Sequence, residues 1–89
     1  MNEEIDVKLK GWVLVNSQDQ LLRRKKVWGT REETRGWIWS DQEVEIIMSD
    51  YTQGQWKQEG LERPVYKQAA WLNRVDGQTY LNGDLEKLP

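Results

Sequence analysis

The chain has 89 residues and a formal net charge of -2, with six Trp and three Tyr but no Phe, Cys or His. The missing Cys and His exclude disulfides, thiol nucleophiles, Cys/His zinc centres and imidazole bases. The length suits a single domain, and no apolar run approaches a membrane span.

Leu, Ile and Val together number only 20 residues, so Trp must supply much of the buried surface. The acidic start, Glu3-Glu4-Ile5-Asp6, is unlike a basic signal peptide, and the expected location is the cytoplasm. Charge is segregated along the chain. Residues 21–35 carry a net +4 and residues 36–62 a net -5. The expectation is therefore a basic hairpin region followed by an acidic helix.

In chain order, a strand is expected from Ile5 or Asp6 to Asn16. Val7, Leu9, Gly11, Val13 and Val15 alternate onto one face, and Lys8, Lys10, Trp12 and Leu14 onto the other. Gly11 inside this run signals a bulge or the close approach of another backbone. Asn16–Gln20 is a polar turn. A second strand is expected over Leu21–Trp28. Its four consecutive basic residues point to an exposed or edge strand, two charges on each face.

After a polar loop to Arg35, Trp37-Ile38-Trp39 reads as a short strand that runs straight into a helix. Ser40 is the expected N-cap and Glu43 completes a capping box. Trp39 and Val44 have the spacing of a hydrophobic staple. Val44, Ile47, Met48 and Tyr51 then form one apolar stripe over a helix of about 41–52. Gly54 suits a left-handed C′ position. A strand over Val65–Val75 follows, with Tyr66, Ala70 and Leu72 on one face and Val65, Ala69 and Trp71 on the other. Asp76-Gly77 predicts a two-residue type I′ hairpin that pairs Val75 with Gln78, Asn73 with Tyr80 and Leu72 with Leu81. Residues 84–89 are expected to be a tail beyond an ordered core of about 5–83.

The order β-β-β-α-β-β predicts an α+β fold: a small antiparallel sheet of about five strands with one amphipathic helix packed on it. The alternative is a small all-β barrel, in which Trp37–Trp39 and Val44–Met48 pair across Ser40–Glu43.

No catalytic, cofactor-binding or metal-binding set is expected. No phosphate loop, nucleophile elbow or metal spacing is present. The expected function is a non-enzymatic protein-binding module. In composition the chain resembles the short accessory proteins of phages and mobile elements, which implies an accessory or inhibitory role on a larger host complex. The candidate contact residues are the basic run Arg23, Arg24, Lys25 and Lys26, the exposed aromatics Trp28 and Trp56, and Asp41 and Glu45 of the helix. The alternative is a nucleic-acid-binding accessory domain, with Arg23–Lys26 on phosphates and Trp28 as a stacking platform. Homodimers through a strand edge, Leu21–Trp28 or Gln78–Asn82, are a further expectation.

Overall fold

The computed structural model describes residues 8–24, 27–31, 37–52 and 62–89. Among these residues are β1 (Lys8–Val15), β2 (Leu21–Leu22), β3 (Trp28–Gly29), α1 (Asp41–Thr52), β4 (Tyr66–Asn73) and β5 (Thr79–Lys87). The strands form one curled antiparallel sheet in the order β3-β2-β1-β4-β5. The fold is α+β, and Ser40–Glu43 opens a helix rather than turning an all-β hairpin. Among the described residues no helix is long and apolar enough to cross a membrane.

β1 is the axis of the sheet. It pairs with β4 along its whole length, from Lys8 opposite Asn73 to Val15 opposite Tyr66. Residues directly opposite in an antiparallel pair share a face. One face therefore gathers Val13, Val15 and Ala70 with Leu21, Trp37 and Ile38. The other gathers Leu14 with Leu22, Trp39, Leu88 and the helix residues Val44 and Ile47. Adjacent residues Val13 and Leu14 are both 0% exposed because the sheet is covered on both sides there.

The helix begins as its sequence dictates. Ser40 Oγ accepts the Glu43 N–H at 3.1 Å, and Glu43 Oε1 accepts the Ser40 N–H at 3.0 Å. Trp39 and Val44 meet in one core cluster, so the staple is formed. Met48 packs against the same cluster. The side chain of Tyr51, the C′ position Gly54, and residues 1–7 at the start of the first expected strand lie outside what is described.

Leu21–Trp28 is not one strand. The chain turns where Arg23 N–H donates to the Val27 carbonyl at 2.8 Å, bringing Trp28 back opposite Leu22. A straight strand would have laid like charges on both faces of a sheet that is buried at Leu21 and Leu22. The turn instead takes Arg23 and Arg24 out of the ladder, at the tip of the β2–β3 hairpin. β2 is an inner strand, between β1 and β3, and only Trp28 of this segment lies at the sheet edge, in β3.

Trp37–Trp39 likewise forms no strand. It makes a single bridge, in which Trp12 and Trp39 exchange two 2.8 Å backbone hydrogen bonds. Trp37 and Trp39 do not share a side: Trp37 joins Ile38 in one cluster, while Trp39 enters the other and donates its indole N–H to the Leu22 carbonyl. Gly11 makes this approach possible, because a Cβ there would stand 2.6 Å from the Trp39 carbonyl oxygen.

The last hairpin departs from the two-residue turn. Leu72 faces Thr79 and Trp71 faces Tyr80, a register two residues away from the expected one. Asn73 Oδ1 accepts the N–H of Val75 at 2.8 Å and the Asn73 carbonyl accepts the Gly77 N–H, so the loop closes on Asn73 and Gln78. Of the two residues, only Gly77 has positive φ (73°), whereas type I′ requires it at both.

The expected tail is also overturned. β5 continues through Lys87, and Leu88 is buried in the core with its N–H on the Val65 carbonyl. Gly83, at φ 126°, forms the irregularity that lets pairing resume with Leu85 opposite Gln68.

Candidate binding surface

Two of the four residues of the expected basic run, Arg23 and Arg24, lie against rings of the core. The Arg23 guanidinium lies 4.2 Å from the centre of the Trp37 ring, and that of Arg24 lies 4.3 Å from the centre of the Trp39 ring. Arg24 also donates to the Ile38 carbonyl and pairs with the Glu43 carboxylate. The hairpin tip thus clamps the Trp37–Trp39 segment and the first turn of α1. Lys25, Lys26 and Trp56 lie outside the described residues. Trp28 is half-buried, packs against the core and donates its indole N–H to the Glu62 carbonyl at 3.1 Å. Glu45 is exposed on the helix, and Asp41 belongs to a different place.

That place is a groove of about 700 Å³ on the helix-side face of the sheet. Its floor is Gly11, Ala69 and Ala70, and it is bounded by Trp12 and Trp71. Lys8 and Lys10 line it from β1, and Ser40, Asp41 and Gln42 line it from the start of α1. Asp41 Oδ1 accepts the indole N–H of Trp12 at 2.5 Å, which holds that ring against the helix start.

The aromatic rings are already partnered. Tyr80 stacks on Trp71 from the β5 side, ring centres 4.6 Å apart. The Lys8 ammonium lies 4.6 Å from the centre of the same ring, from the β1 side. The Lys67 ammonium sits over Trp12 at 4.2 Å. Tyr80 also donates its hydroxyl to Asp76, whose carboxylate raises the phenol above its ordinary 10.0.

Two carboxylates titrate low. The hydrogen bond from Arg24 holds Glu43 below the ordinary 4.5, outweighing the opposing effect of burial, and the Ser40 N–H adds to it. The hydrogen bond from Arg31 does the same for Asp19, from 3.8. A carboxylate whose folded pKa is depressed contributes stability that is full above its unfolded value and is lost as pH falls through the folded one. Stability is therefore expected to fall as pH drops below 4.5, the upper edge of the Glu43 window. Glu43→Gln keeps a capping side chain but removes the titration. Urea midpoints measured down this range should fall less steeply in the variant than in the wild type.

The groove was not among the expected sites. The alternation of Lys8, Lys10 and Trp12 was legible, as was that of Ala69 with Trp71. Their meeting depends on the β1–β4 register, which places Lys10 opposite Trp71 and Trp12 opposite Ala69. No family model, curated protein or solved structure matches this chain.

Proposed function

We propose that the chain is a non-enzymatic, cytoplasmic protein-binding module. It acts as an accessory or inhibitory protein on a larger complex, in the manner of phage and mobile-element accessory proteins. Its contact surface is the groove between Trp12 and Trp71. The supporting observation is the groove itself: about 700 Å³, floored by small residues and flanked by two half-buried indoles. Trp and Tyr at the rim of a concavity are the side chains that dominate contact energies between proteins.

The nucleic-acid reading draws less support. Arg23 and Arg24 are held on Trp37 and Trp39, and a base stacking on Trp71 would have to displace Lys8 from its ring. The test pairs two experiments. Affinity capture with wild-type bait should recover a partner that Lys10→Glu loses and that a substitution at the exposed Val75 keeps. Titration with single- and double-stranded oligonucleotides at two salt concentrations should show no binding. Oligonucleotide binding that weakens steeply with salt would instead establish the nucleic-acid alternative.

A further inference from the structure

We infer that the outer edge of β1 at Lys8–Lys10 is a strand-addition site for an extended peptide of the pattern acidic–apolar–acidic. This deepens the reading above, since it names what enters the groove.

The geometry starts from the bridge. Trp12 directs its N–H and C=O away from β4, to Trp39. Backbone groups of alternate residues in a strand point the same way, so those of Lys10 and Lys8 face that side too. If the segment after Trp39 had stayed extended, residue 41 would lie opposite Lys10 and residue 43 opposite Lys8. It does not stay extended, because Ser40 caps a helix and Asp41 is already in it. The capping box therefore takes the described chain after Trp39 away from this edge. Among the described residues, none pairs with Lys8 or Lys10 on that side.

Register then sets the ligand. Peptide residues opposite Lys8 and Lys10 would be two apart and on the lysine face, where opposite charge is favoured. The residue between them would lie opposite Leu9, whose side chain is 39% exposed on the other face. Acidic side chains at the outer positions and an apolar one between them satisfy both. Asp41 also lines the groove, but its carboxylate is turned to the Trp12 indole. Pairing of this edge with the same edge of another copy would set lysine against lysine, so a second copy is the wrong occupant.

The probe is a terminally blocked peptide, Glu-Val-Glu-Val-Glu, titrated into the ¹⁵N-labelled full chain. Slower hydrogen exchange at the Lys8 and Lys10 amides is expected, with shifts concentrated over Lys8–Trp12. The effect should vanish with Lys-Val-Lys-Val-Lys, with the acidic peptide N-methylated on alternate residues so that its edge cannot pair, and in Lys8→Glu/Lys10→Glu. Equal shifts from the N-methylated peptide would overturn strand addition in favour of simple charge attraction. Unchanged exchange at Lys8 and Lys10 would overturn it outright. So would protection of these amides that rises with protein concentration alone. If the peptide fails while Lys10→Glu still abolishes partner capture, the edge inference falls and the binding groove stands.

Discussion

Trp39→Ala is expected to be the most damaging single substitution. Large aromatic truncations in a core cost about 3–5 kcal/mol. A domain of this size has total stability on the order of 5–10 kcal/mol. Trp39 is 7% exposed and belongs to the cluster that joins sheet and helix. Its ring also donates to the Leu22 carbonyl and carries the Arg24 guanidinium. Truncation removes all three contributions and the staple to Val44. Urea unfolding followed by far-ultraviolet circular dichroism should show the midpoint falling by half or more. An unfolding free energy within about 1 kcal/mol of wild type would mean that the Trp39 cluster does not organise the core.

Gly11→Ala is expected to follow, and its sign is diagnostic. In an ordinary strand, Gly to Ala stabilises by about 0.5–1 kcal/mol through the unfolded chain. Here the added methyl would sit 2.6 Å from the Trp39 carbonyl oxygen and 2.8 Å from Ile38 Cγ1. One of these atoms belongs to the backbone, and its neighbour Ile38 is 3% exposed, so relief requires the Trp37–Trp39 segment to move off β1. The expected cost is about 3 kcal/mol, the upper end of usual overpacking. It should come with faster exchange at Trp12 and Trp39, whose amides bond each other's carbonyls. A neutral or stabilising Gly11→Ala would contradict the close approach.

Local chemistry explains why some elements were readable and others were not. The capping box, the staple and the Val44–Ile47–Met48 stripe are decided within a few residues, so the helix and its start follow from spacing alone. The two faces of β1 and of β4 follow from alternation for the same reason. The hairpin at Asp76-Gly77 misled because Asn73 competes for the turn: its side chain accepts the Val75 N–H and enlarges the loop. The tail was misjudged because Asn82-Gly83 reads as a stop, whereas Gly83 only resets the register and Leu88 returns to the core. The basic run was misplaced for a different reason. Nothing local says that Arg23 and Arg24 have Trp37 and Trp39 above them, since that contact spans a loop. The groove is less local again, because it needs β1, β4 and the start of α1 in one place.

Those contacts share one cause. The chain leaves the sheet at Ser40, which docks α1 on Leu14 and, among the described residues, leaves the outer side of β1 unpaired before Trp12. Amide hydrogen exchange along β1 tests this most directly. Trp12 is bonded to Trp39, and Gly11 and Val13 face β4, so these three amides should be slow, while Lys10, between protected neighbours, should exchange close to the rate of an open chain. Protection at Lys10 equal to that of Gly11 would show the edge to be occupied, and would contradict both the open groove and the binding role drawn from it.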